Sequence, residues 1–403
     1  MSTTARTPLR PVDGAPPNPQ ARVETARGMR VPIDLWIVAG TIGLGICSLM
    51  MLAAVKGPDG SGSSSFVTRQ AIFFVVGTVL AIALARFDYT VLRRHYWRLW
   101  GVLIGLIVAV SLFGQTTRGS KLSIKTPLFD VQASELGKVL LCVVIAGLVC
   151  DRAREMSSWR TTGVVAGVGL LPAGLVVLQD LGSGLVYVAV LMAILFVGGS
   201  PGRHLGALAA AGAGLVLVVG VLAPAAGVEV LKEYQVERLT SFLHPSSDPA
   251  DAGYQQNQSQ TAIGSGGKTG RGDAATQTNL QFLPEPRTDF AFATFGERYG
   301  FTGAGLVLCL YALLIWRALR ILSVAPDLFG ALIAAGVVAI LLLQVFENVG
   351  MNIGIMPITG IPLPLFSYGG SSVISTLLAL GLLQSIHARG HASLGRTRIS
   401  SGL

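Results

Sequence analysis

The run DLFGALIAAGVVAILLLQVFENVGMN, from Asp327 to Asn352, decides the fold class. After Asp327 it carries one ionisable side chain, Glu347. It exceeds the about 20 apolar residues that a helix needs to cross a bilayer. Working outward, nine further runs have similar character: roughly 33–55, 67–86, 98–114, 133–151, 161–178, 182–199, 203–225, 288–317 and 366–388. They predict an all-α integral membrane protein with ten transmembrane helices and a large extracytoplasmic loop, 226–287, between helices 7 and 8. Composition agrees. Of 403 residues, 51% are hydrophobic and 13% charged, and mean hydropathy is +0.62. A soluble domain carries roughly 25% charge, so a soluble enzyme and a disordered chain are both excluded. The 50 glycines suit helices that pack closely in lipid.

The net charge of +9 reads as topology, with no nucleic-acid partner implied. With the N-terminus inside, 18 of the 30 basic residues, all arginine, fall on cytoplasmic segments, from Arg6–Arg30 through Arg152–Arg160 to Arg389–Arg398. The positive-inside bias then places both termini in the cytoplasm, which needs an even number of spans. Residues 1–30 read as a disordered basic tail, 31–390 as the transmembrane domain and 391–403 as a cytoplasmic tail. Cys47, Cys142, Cys150 and Cys309 sit in or beside apolar runs and read as small buried hydrophobes. No His/Cys spacing suits zinc.

Charges at membrane depth cost at least about 2.5–3.5 kcal/mol each and are functional candidates. They are Glu135, Lys138, Asp180, Asp289, Glu297 and Glu347. Glu135 and Lys138, three apart, share a helix face and form either a packing ion pair or the wall of a polar cavity. Asp289 follows Pro284-Glu-Pro286, and Thr288 or Asp289 could cap the next helix. Alternatively, Glu285, Arg287, Thr288 and Asp289 form a polar group at the outer face, where a general base meets a lipid-linked substrate. If helix continues from there, Glu297 lies about two turns on and can share the face of Asp289. The stretch 354–372, GIMPITGIPLPLFSYGGSS, contains Ser367 and Ser371 and is too rich in Pro and Gly for helix. Irregular backbone at that depth survives only inside protein or along a cavity, so a re-entrant segment is expected.

In order, Ala85-Arg-Phe-Asp-Tyr89, Gln132-Ala-Ser-Glu-Leu-Gly-Lys138, Gln179-Asp-Leu-Gly-Ser183, Ala262-Ile-Gly-Ser-Gly-Gly267, Phe282-Leu-Pro-Glu-Pro-Arg-Thr-Asp-Phe290 and Pro362-Leu-Pro-Leu-Phe-Ser-Tyr-Gly-Gly-Ser-Ser372 resemble the SEDS family (shape, elongation, division, sporulation). Some stretches look more like its RodA branch than its FtsW branch. The resemblance implies a ten-helix peptidoglycan glycosyltransferase of the bacterial plasma membrane, polymerising lipid II into β-1,4 glycan strands. It implies a class B penicillin-binding protein as partner, a divalent ion (Mg or Mn) as cofactor and Asp289 as the catalytic residue, also a candidate metal ligand. Candidate substrate contacts are Arg118, Lys121, Glu135, Lys138, Glu285, Arg287, Thr288, Glu297, Ser367 and Ser371.

Three features depart from the family pattern. Leu122-Ser123 stands where an Arg-Trp pair is usual, Arg287 replaces a His, and the Pro of the Gln-Pro-Ser-Glu and Gln-Pro-Asp-Leu-Gly motifs is missing. Two other readings of the sequence are a lipid II flippase and a non-catalytic activator of a penicillin-binding protein.

Overall fold

The computed structural model describes residues 32–55, 64–117, 120–125, 130–218, 252–280 and 282–400. Its long helices are α1 (Leu35–Ala54), α2 (Ser64–Arg86), α3 (Tyr96–Phe113), α4 (Ala133–Asp151), α5 (Trp159–Val177), α6 (Leu181–Val197), α7 (Gly202–Leu217), α8 (Ala252–Gly266), α9 (Ala291–Val324), α10 (Leu328–Ile353) and α11 (Gly370–Ser400). Each of the ten apolar runs overlaps one of these helices within the described residues. Among the described residues, eight helices are long and apolar enough to cross a membrane. The other two, α6 and α7, have 17 and 16 residues. The chain is thus an all-α multi-pass membrane protein, with α4 and α11 at the centre and α2 and α3 toward the outside.

Acidic residues start three of these helices. Asp34 accepts from the N–H of Trp36 and Ile37 (3.0 and 3.3 Å) and pairs with Arg317 of α9. Asp180 accepts from Gly182 N–H (3.2 Å) and from the Ser183 hydroxyl (2.5 Å). Asp327 accepts from Gly330 N–H (2.7 Å) and from the Tyr89 hydroxyl (2.5 Å). Each caps orphan N–H groups of a first turn, an arrangement worth about 1 kcal/mol.

The structure differs from the sequence reading at several places. The segment between α3 and α4 forms a small antiparallel sheet, β1 (Gln115–Thr117), β2 (Ser120–Lys125) and β3 (Asp130–Gln132), in the order β1-β2-β3. The span 226–287 is not all loop, because its later part holds α8. The tail predicted from 391 continues α11 to Ser400. Cys309 is exposed and Cys150 half-buried, and only Cys47 and Cys142 are buried. The predicted tail 1–30 lies outside the described residues.

The most consequential difference lies in α9. It starts at Ala291, and Gly300 breaks it (φ 67°, ψ −163°). A broken helix leaves orphan N–H and C=O groups that need partners, and here the turn after α8 supplies them. Phe301 N–H donates to Gly267 O (2.9 Å), Thr302 N–H to Lys268 O (3.1 Å), and Arg271 N–H to Glu297 O (2.9 Å). A Cβ at Gly300 would collide with the backbone of Lys268 and Gly270, and its positive φ disfavours any L side chain. Gly300→Ala is therefore expected to destabilise by about 1–3 kcal/mol and to loosen the turn after α8. Thermal unfolding in micelles and proteolysis near Lys268 would check this.

Candidate active site

The residues Leu283–Phe290 enter α9 as irregular backbone between the helical bundle and the run 354–369. Four successive carbonyls here accept hydrogen bonds. Pro286 O accepts from the Thr294 hydroxyl (2.9 Å), Arg287 O from Tyr368 N–H (2.8 Å) and Thr288 O from the Ser367 hydroxyl (2.6 Å). Asp289 O accepts from both Asn348 Nδ2 and Asn352 Nδ2 (3.1 Å each). One carbonyl earlier, Glu285 O accepts from the N–H of Thr288 and Phe290 (3.3 Å each).

The run 354–369 is non-helical, and its later part, from Ile358 to Ser367, is largely buried. Ile361, Leu363, Leu365 and Phe366 are fully buried. Its backbone groups are satisfied by side chains from four helices. Ser48 of α1 donates to Phe366 O (2.7 Å), and Gln70 of α2 donates to Ser367 O (3.2 Å) and accepts from Gly369 N–H (3.3 Å). Tyr311 of α9 donates to Pro364 O (2.6 Å), and Asn348 of α10 to Ile361 O (2.8 Å). Among the described residues, Glu285 (φ 46°) and Leu365 (φ 63°) are the two non-glycine residues with positive φ. One lies on each of the two interlocked segments. Each such residue costs about 1–3 kcal/mol and persists only where its surroundings dictate it.

This lock brings together five of the predicted residues: Glu285, Arg287, Thr288, Asp289 and Ser367. Asp289 is half-buried. The cap position of α9 belongs to Phe290, with no side-chain cap bond. The Thr288 hydroxyl donates to Glu285 Oε2 (3.2 Å). Arg287 donates to Val55 O at the end of α1 (3.3 Å) and lies 4.3 Å over the Phe66 ring. Burial pushes its guanidinium below the ordinary arginine range, with the Glu285 carboxylate opposing that effect. It remains charged, as arginine does in proteins.

The other candidates are held elsewhere. Glu297 is fully buried, and its carboxylate accepts from Gln277 N–H (2.8 Å), Thr278 N–H (2.9 Å) and the Thr278 hydroxyl (2.7 Å). It closes the short helix Thr276–Asn279. The two-turn argument linking it to Asp289 fails because the helix begins after Asp289. Ser371 ties β3 to α11: its hydroxyl donates to Asp130 O (2.6 Å) and accepts from Gln132 N–H (3.0 Å). Lys121 lies on β2, opposite Thr116. Arg118 lies outside the described residues.

Glu135 and Lys138 form an ion pair of 2.7 Å, with side chains 1% and 2% exposed. The cavity beside them, which Gln344, Ser375 and Thr376 also line, has a volume of ≈ 10 Å³. That admits about one water and no sugar, so Lys138 is given to Glu135 in this conformation. Glu347 is likewise buried, and neither of its carboxylate oxygens has a hydrogen-bond partner among the described residues.

Sequence reasoning missed Asn348, Asn352, Ser48, Gln70 and Tyr311. The available signal was the polar spacing Gln344, Asn348, Asn352 along an otherwise apolar helix, which puts three amides on one face. Among the described residues, no three His, Cys, Asp or Glu side chains converge on a metal cage. An ion held largely through substrate phosphates needs only one or two carboxylates, a donor set that Asp289 and Glu285 could supply.

Lys138→Met should strand a buried carboxylate and destabilise by about 3–5 kcal/mol. Adding Glu135→Gln should recover most of that loss. Thermal unfolding of both variants would check the pairing.

Residues 32–391 match the family model described as cell cycle protein, FtsW/RodA/SpoVE. The stage V sporulation protein E of Bacillus subtilis is 33% identical over 331 residues, covering 80% of this chain and 86% of that protein. The peptidoglycan glycosyltransferase MrdB of Escherichia coli K12 is 33% identical over 360 residues, covering 89% and 94%. Among solved structures, a chain of a peptidoglycan synthase complex that coordinates polymerization and crosslinking superposes with a TM-score of 0.74 at 30% identity, covering 90% of this chain and 99% of that one. The rod shape determining protein RodA of Thermus thermophilus gives a TM-score of 0.62 at 27% identity, covering 89% and 97%.

Proposed function

The chain belongs to the FtsW, RodA and SpoVE cell cycle protein family, and from that premise we infer that it is a peptidoglycan glycosyltransferase polymerising lipid II. The observation that carries the site assignment is the four-carbonyl lock that ends at Asp289. Asp289 is a half-buried carboxylate on fixed backbone, where pre-organisation contributes most to a reaction.

The donor is the growing strand, α-linked through its sugar to polyprenyl pyrophosphate, and the product linkage is β-1,4. A single inverting displacement accounts for this change. The 4-hydroxyl of the incoming GlcNAc attacks the donor C1, the C1–O bond to the pyrophosphate breaks, and Asp289 takes the hydroxyl proton. No carboxylate nucleophile is needed. Charge on the departing pyrophosphate calls for cations near the outer face. Arg287 is one, and Lys121 and Arg118 are the other candidates that the sequence offers. A Mg or Mn ion with Asp289 and Glu285 as donors would supply further charge neutralisation. Lys138 is paired with Glu135 on α4 and so serves that helix rather than the pyrophosphate.

Both termini are assigned to the cytoplasm, and the lock to the outer face of the plasma membrane. A class B penicillin-binding protein is the proposed partner, which the similarity to a chain of a synthase complex supports.

In vesicles supplied with labelled lipid II, Asp289→Asn is expected to lower glycan polymerisation by at least about 10²-fold while leaving thermal unfolding unchanged. Unaltered glycan ladders would overturn the assignment. Chelation of divalent ions should slow the wild type, and Mg or Mn should restore it.

A further inference from the structure

Asn348 and Asn352 are both fully buried on α10, where each amide would cost several kcal/mol unless hydrogen-bonded. They stand four residues apart, on one face, and converge on a single atom, Asp289 O, at 3.1 Å each. Their other bonds fix which end of each amide faces which way. Asn348 Nδ2 also donates to Ile361 O (2.8 Å) and Asn352 Nδ2 to Asn348 O (2.8 Å). Asn352 Oδ1 accepts from Ala293 N–H (3.1 Å), an orphan donor in the first turn of α9, and from the Ser259 hydroxyl of α8 (3.3 Å). Turning that amide over would set its NH₂ against an N–H donor and its oxygen against two carbonyls. The pair therefore holds the carbonyl of Asp289 and the N–H of Ala293 at once. That fixes the peptide plane after Asp289 and with it the direction in which the Asp289 side chain leaves the backbone.

We propose that Asn348 and Asn352 are positioning residues for Asp289, setting the orientation of its carboxylate toward the acceptor hydroxyl without touching substrate. This rests on the reading of Asp289 as the general base. A helix-packing role alone would not need two donors on one carbonyl. Packing alone would also not need the carbonyl to belong to the residue that carries the carboxylate. An aspartate in place of Asn352 is nearly isosteric but presents an acceptor to Asp289 O, so it reverses the contact while keeping the volume.

The test uses the full chain in vesicles with labelled lipid II. It compares the wild type with Asn352→Asp, Asn348→Ala and Asp289→Asn, reading kcat, KM and thermal unfolding. The expected result is a kcat reduced by up to about 10²-fold in Asn352→Asp, with KM for lipid II within about twofold of the wild type by the uniform-binding criterion. Asn348→Ala leaves one donor on Asp289 O and should lose less kcat than Asn352→Asp. Wild-type kcat in both asparagine variants, alongside an inactive Asp289→Asn, would overturn the positioning role and leave the base assignment intact. Activity retained in Asp289→Asn would sink the base assignment itself. A loss appearing in KM with kcat preserved would overturn the proposal by making the pair a binding element. Failure of both asparagine variants to fold would overturn it by assigning the pair to folding alone.

Discussion

Irregular backbone inside a membrane protein is the constraint on which the rest of this structure depends. Residues 354–369 have no helix to pair their N–H and C=O groups, and the buried part of the run, from Ile358 to Ser367, needs protein partners for them. Each group left without a partner would cost several kcal/mol. Ser48, Gln70, Tyr311 and Asn348 meet that demand from four helices. Once so held, the run offers its own donors, Ser367 Oγ and Tyr368 N–H, to the backbone preceding α9. The fixed orientation of Asp289 follows from that order of dependence: helices hold the run, and the run and α10 hold the segment that carries the carboxylate.

The same logic explains what the scarce charges do. Asp34, Asp180 and Asp327 cap helices, and two of them also bind side chains from elsewhere in the chain, Arg317 and Tyr89. Glu135 and Lys138 neutralise each other, and Glu297 closes a four-residue helix. Each of these groups is thereby matched with donors or with an opposite charge, as low-dielectric surroundings require, whereas the buried Glu347 has no hydrogen-bond partner among the described residues. Asp289 stands apart in that its backbone carbonyl receives two amide donors from α10, and its side chain sits at a half-buried position.

The motif around Asp289 was legible in the sequence because its backbone is irregular. The motif 282–290 and the run 354–372 are distinctive in sequence because Pro and Gly must replace helix formers wherever the backbone turns irregular. The amides of α10 were far less legible. An isolated Asn in an apolar helix has many possible partners, and only a neighbouring carbonyl decides between them. The kink at Gly300 was missed for a related reason: one glycine in a long apolar run is ordinary in membrane helices. What makes it a break is the turn after α8 lying against it.

Length, hydropathy and the arginine pattern by themselves determined that this is a multi-pass helical membrane protein and where its apolar runs lie, because bilayer thickness acts directly on runs of residues. Short motifs determined its family. Only the tertiary structure decided that Glu297 is a cap, that Lys138 is neutralised in place, and that two asparagines more than 55 residues downstream hold the Asp289 carbonyl. Those outcomes depend on which groups meet across helices distant in sequence. No local pattern encodes the hydrogen-bond partner that a buried polar atom will find.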